Sequence, residues 1–188
     1  MKIMSVATMA VLVGVGVCDG AIPQQDALRV TVCMARVASP VAFYQARTIA
    51  SKIYSEIGVK IDWRSRGASC TAVDAVIIEF TENTPAALQP GSLACALPYE
   101  RVHIRVFLDR VRESVGPDAV PYLLGHVLVH EIGHLLQGID RHSETGVMKA
   151  QWDVDDYKRM VASPLPFTDE DVRLIHHGME GRAAQLRQ

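Results

Sequence analysis

Tyr122–Leu136, YLLGHVLVHEIGHLL, is apolar enough to run buried through a core, yet it carries three histidines and a glutamate. The turn residues Gly116, Pro117 and Asp118 precede it, Pro121 suits a first helical turn, and Gly138 suits a helix stop. A helix from about Ala119 to Gln137 is therefore expected. Within it, His130, Glu131 and His134 form an H-E-x-x-H pattern. Residues four apart share one helical face, with Cβ atoms about 5–6 Å apart. Both imidazoles can then reach one ion at about 2.0–2.1 Å. Glu131 stands where it can hold a water beside that ion and take its proton. Two imidazoles and a carboxylate inside an apolar helix cost several kcal/mol unless they are satisfied. A divalent cation satisfies them, and one catalytic Zn2+ is the expected cofactor.

A third protein ligand is needed, with a further position left open. His142 and Asp140 both follow Gly138, whose backbone freedom lets the chain fold back towards the ion. Imidazole suits zinc well, which favours His142 over Asp140. Asp153, Asp155 and Asp156 form a more distant acidic alternative. His126 repeats the four-residue spacing, but Val127 leaves that pair without an adjacent base. Eight residues of helix span about 12 Å, too far for His126 and His134 to share an ion. His126 therefore reads as a core or supporting histidine.

The stretch His130–Met148, HEIGHLLQGIDRHSETGVM, resembles the elongated zinc motif and methionine turn of the metzincin metallopeptidases. The resemblance implies His130, His134 and His142 as ligands, Glu131 as general base, Gly138 as the turn and Met148 as the methionine beneath the metal. His142-Ser143 is similar to the His-Ser pair of the matrixin branch. So is Leu93-Ala94-Cys95-Ala96 followed by His103-Ile104, which resembles the matrixin edge strand that pairs with extended peptide substrates. The spacing departs from the family: Gly138 comes one position late and His142 two, and the family spacing would place the third ligand at Asp140. Cys95 replaces a histidine that binds structural zinc in matrixins, so no structural zinc is expected, although Cys95 and His103 are chemically capable of contributing to one. A methionine such as Met148 is otherwise an ordinary core residue. Tyr157 is a candidate for a substrate oxyanion, while Trp152, His176 and His177 read as packing or surface residues.

Outward from the helix, Ala27–Met34, Val59–Trp63, Ala72–Phe80 and Val102–Leu108 read as strands. Apolar residues recur at helical spacing from Pro40 to Ile57, with Gly58 as a stop. Thr81–Ser92 reads as a loop, as does the segment from Gly138 to about Phe167. Thr168 caps a last helix whose first turn is acidic at Asp169, Glu170 and Asp171. The order predicts an α/β (α+β) class. With the resemblance, the expected fold is metzincin-like: a mixed twisted sheet of about four strands packed on a long helix and the H-E-x-x-H helix, with a C-terminal helix.

At the N-terminus, Lys2 followed by the apolar run Ile3–Cys18 reads as a signal peptide over residues 1–20. The mature part, 21–188, is then a single catalytic domain in a secreted or periplasmic (extracytoplasmic) setting. Acylation at Cys18 and a retained amphiphilic anchor are the alternatives. No second apolar run reaches the roughly 20 residues of a membrane span, so no stable membrane insertion is expected after cleavage. Export permits a disulfide among Cys33, Cys70 and Cys95, and the sequence does not select the pair. A formal net charge of −2 argues against a nucleic-acid surface.

The expected function is a zinc-dependent metalloendopeptidase acting on a peptide or protein substrate, with oligomeric state open. Two alternatives remain: a non-catalytic zinc-binding or interaction protein on the same scaffold, and a hydrolase using Asp153, Asp155 or Asp156 as third ligand.

Overall fold

The computed structural model describes residues 28–35, 40–65, 67, 70, 74–88, 90–97 and 102–185. The signal segment read at 1–20 lies outside the described residues, as does the start of the third strand expected at Ala72.

The chain begins with β1 (Leu28–Met34), α1 (Pro40–Glu56), β2 (Val59–Ser65) and β3 (Val76–Thr81). It continues through β4 (Ala94–Ala96), β5 (His103–Phe107), α2 (Leu108–Ser114) and a 3-10 turn at Pro117–Ala119. The helices α3 (Val120–Gln137), α4 (Val154–Ala162) and α5 (Asp169–Gln185) complete it. The five strands lie in the order β2-β1-β3-β5-β4. β1 pairs parallel with β2 and β3, β3 pairs parallel with β5, and β4 runs antiparallel on β5. The sheet is thus mixed, as expected, with one more strand than the hydrophobic pattern showed. β4 is only three residues long and too short to carry a period.

The β1-α1-β2 crossover lays α1 across α3. Ala46, Ala50, Ile53 and Tyr54 of α1 are fully buried or nearly so. The Tyr54 hydroxyl donates to the Val129 carbonyl at 2.9 Å, which satisfies a polar group that burial would otherwise penalise. α3 is buried on almost every face from Leu123 to Gln137, between α1 and α5, with β4 alongside. This enclosure explains why its sequence is apolar all round rather than striped. Cys33 of β1 is disulfide-bonded to Cys70, with 6.0 Å between Cα atoms, and Cys95 is a free, exposed thiol.

Two helices stand where no helix was expected. α4 lies inside the expected loop. Its N-cap Asp153 accepts from the backbone amides of Asp155 and Asp156, and Asp156 reaches back to the amide of Asp153. This capping box fixes the start of the helix. α2 follows β5 directly and buries Leu108 and Val111.

Candidate metal centre

α3 and the loop after it build the site. Gly138 ends α3 in the left-handed conformation, φ 71°, and its amide bonds the His134 carbonyl. This sends the chain back across the face of α3 that carries His130 and His134. One ring nitrogen from each of His130, His134 and His142 lies within 4.8 Å of the others. His130 and His134 are buried, and His142 is exposed on the open side.

Hydrogen bonds set how the rings face. His130 Nδ1 donates to the Val147 carbonyl at 2.9 Å, and His134 Nδ1 donates to the Ile139 carbonyl at 3.4 Å. With both protons on Nδ1, both Nε2 atoms present lone pairs, and these lie 3.0 Å apart. Two facing lone pairs repel unless a cation lies between them. Tetrahedral zinc with bonds of about 2.0–2.1 Å separates two nitrogens by about 3.3 Å, close to that spacing. The donor set fits zinc: three neutral imidazoles, two of them oriented by backbone carbonyls. Burial, with the neighbouring His134 adding to it, lowers His130 to about 3. Burial also lowers His134, with His142 adding to it. Both rings therefore stay neutral and able to bind a cation.

Glu131 points towards the β4 edge. Burial raises its carboxyl to about 8, a hydrogen bond from the Ala96 backbone opposes that rise, and Asp140 adds to it. Asp140 is exposed and lines the cleft, but the converging group contains His142 instead. The cleft has a volume of about 930 Å³ and lies between Pro90–Ala96 on one wall and Lys149–Trp152 with Tyr157 on the other.

Met148 is fully buried against α3 at Gly133. A Cβ at Gly133 would stand 2.7 Å from the Met148 sulfur, so a larger residue there would push the end of the methionine side chain aside. Gly146 turns the loop with φ 78°, and a Cβ there would meet the Pro166 carbonyl oxygen at 2.4 Å.

The other residues singled out in the sequence are placed elsewhere. His126 is fully buried, with Nδ1 donating to the Tyr122 carbonyl at 2.7 Å and Nε2 accepting from the Leu165 amide at 3.0 Å. Both nitrogens are used by backbone, so it serves the core. Asp153 and Asp156 hold Lys149 at 2.7 and 2.6 Å, Asp156 also pairs with Arg159, and Asp155 pairs with Lys158. These acids cap and brace α4 and do not join the histidines among the described residues. Cys95 pairs in register with Arg105, and His103 with Ile77, so the two do not sit opposite each other. Trp152 packs edge-on to His130, with 5.4 Å between ring centroids. His176 donates to the Ile57 carbonyl at 2.7 Å, and His177 is exposed. Asp171 escaped the sequence reading as a site residue. The only signal was its place three after Thr168, the spacing of a capping box.

At the sequence level no family model and no curated protein matches the chain. Among solved structures, the fold is similar to that of archaemetzincin from Methanopyrus kandleri, with a TM-score of 0.54 and 14% identity, covering 85% of this chain and 99% of that one. The chain has a metzincin-like fold, with a mixed five-stranded sheet and five α-helices among the described residues.

Proposed function

We propose that this chain is an exported zinc-dependent endopeptidase, nearest in design to the matrixin branch of the metzincins. The observation that carries the reading is the convergence within 4.8 Å of three imidazole nitrogens, two from α3, which also bears a buried glutamate, and one from the loop that follows it. His130, His134 and His142 would hold the ion. When bound, zinc supplies a Lewis acid that polarises a peptide carbonyl and makes a water easier to deprotonate.

The chain's own groups do the rest. Glu131 is buried at the cleft wall, where the Ala96 backbone donates to its carboxylate. Its carboxylate takes the proton from the attacking water and returns it to the departing amine. β4 is an edge strand, bonded on one side to β5, and Ala94–Ala96 lie on the cleft wall. An extended peptide can add to that edge by backbone hydrogen bonds, with its scissile bond over the triad. The Leu93–Ala96 stretch and His142-Ser143 support the matrixin-like assignment. The Cys33–Cys70 disulfide supports an extracytoplasmic, secreted or periplasmic setting and the reading of residues 1–20 as a signal peptide.

A fluorogenic peptide library tests the reading. Cleavage that chelator removes and zinc restores is the expected result. Zinc binding without cleavage of any library member would instead favour the non-catalytic alternative.

A further inference from the structure

Asp171, in the first turn of α5, is fully buried and its carboxylate accepts four hydrogen bonds that divide by oxygen. Oδ2 accepts from the hydroxyl and the amide of Thr168, at 2.7 and 3.0 Å. These bonds belong to the helix cap. Oδ1 accepts from the Ser143 hydroxyl at 2.7 Å and from Arg141 Nη1 at 3.0 Å. Those two bonds add nothing to the cap. They reach across to the loop after α3 and grip the residues on either side of His142.

The same loop carries the carbonyl that orients His130. The Ser143 amide donates to the Met148 carbonyl at 2.8 Å, the Val147 amide to the Pro166 carbonyl at 2.9 Å, and the Val147 carbonyl receives His130 Nδ1. The segment from Arg141 to Met148 is thus closed on itself and tied to α5 through one carboxylate oxygen. His142 has no hydrogen bond of its own among those of the described residues; its ring packs on those of His130 and His134, with 5.3 and 4.8 Å between centroids, and its backbone is placed by what holds its neighbours.

We propose that Asp171 is the positioning residue of the metal centre. Through Ser143 and Arg141 it fixes the loop that supplies the third donor and the carbonyl that sets the His130 tautomer. The proposal rests on the zinc-site reading above and extends it from the donors to what holds them. Its buried negative charge also favours a dication nearby over an empty cluster of imidazoles. A carboxylate placed only to cap α5 would need only the Thr168 contacts.

Zinc affinity, measured by competition with a chromophoric chelator, and the visible spectrum of the Co2+-loaded protein separate the two roles. The double variant Ser143→Ala/Arg141→Met leaves the Thr168 contacts in place. It is expected to lose about 10- to 100-fold in zinc affinity, the range typical of partners behind a ligand, and to change the Co2+ spectrum. Ser143→Thr, which keeps the hydroxyl, is expected to bind as the wild type does. Thr168→Val is expected to lower the unfolding temperature while leaving zinc affinity within about twofold, far inside that range. Unchanged affinity and spectrum in the double variant, or an equal loss in Thr168→Val, would overturn the proposal. A wild-type chain that binds no zinc overturns this and the peptidase reading together. Zinc binding without peptide cleavage sinks only the peptidase reading.

Discussion

At the residue scale, the proposed mechanism divides roles between groups that bind and a group that moves a proton. On that proposal Glu131→Gln removes the base and keeps the shape. Zinc content should be unchanged and peptide cleavage should fall about 100- to 10,000-fold, the usual worth of a general base. Full activity in that variant would remove Glu131 from the mechanism. His142→Ala should lower zinc occupancy, read by elemental analysis, more than Asp140→Ala. The reverse order would move the third ligand to Asp140. A pH dependence belongs to Asp171. Burial alone would raise its carboxyl, but hydrogen bonds from Thr168, Ser143 and Arg141 outweigh that and hold it below the usual carboxylate value. A lowered folded-state pKa stabilises the fold above the unfolded value, near 3.9, and that stability is lost as pH falls through the folded one. The gap in unfolding temperature between wild type and Asp171→Asn should therefore be widest above about pH 4 and narrow below it. A gap that stays constant down to pH 2 would show that Asp171 does not titrate in this way.

At the element scale, α3 was legible because its chemistry conflicts with its surroundings. Two histidines and a glutamate in a run as apolar as YLLGHVLVHEIGHLL need a compensating partner, and the spacing names the face they share. The left-handed Gly138 was legible for the same local reason. What the sequence concealed depends on neighbours. β4 exists because β5 offers it a partner, and three residues carry no period of their own. α4 has a capping box that could have been found, Asp153 with Asp156, and apolar Val154, Tyr157, Met160 and Val161 at helical spacing, but at 9 residues it is short for a helical period to stand out. Those acids are candidate ligands by type, and their engagement with Lys149 and the helix start becomes visible only in three dimensions. Asp153→Ala should cost about 1 kcal/mol of stability through the lost cap, without changing zinc content. A loss of zinc in that variant would return the acidic cluster to the ligand set.

At the scale of the whole molecule, α1 and α3 pack against each other, α1 reaching β2 and α3 reaching β4 and β5, while α5 packs on α3. The order of elements made the class readable. The disulfide pair was not, because which cysteine meets Cys33 depends on the path of the segment between β2 and β3. That bridge spans a sequence separation of 37 residues, and the chain-entropy account assigns such a loop about 4 kcal/mol. Reduction should lower the unfolding free energy by an amount of that order, and Cys33→Ser/Cys70→Ser should do the same. Unchanged stability on reduction would mean the bridge does not form in solution.

The central claim is that His130, His134 and His142 hold one zinc ion. A zinc-loaded crystal, measured by anomalous diffraction at the zinc edge, tests it most directly. The account predicts a single anomalous peak among the three rings, about 2.0–2.1 Å from a nitrogen of each. A peak ligated by Asp140 or the α4 acids in place of His142, or no peak between His130 and His134, would contradict it.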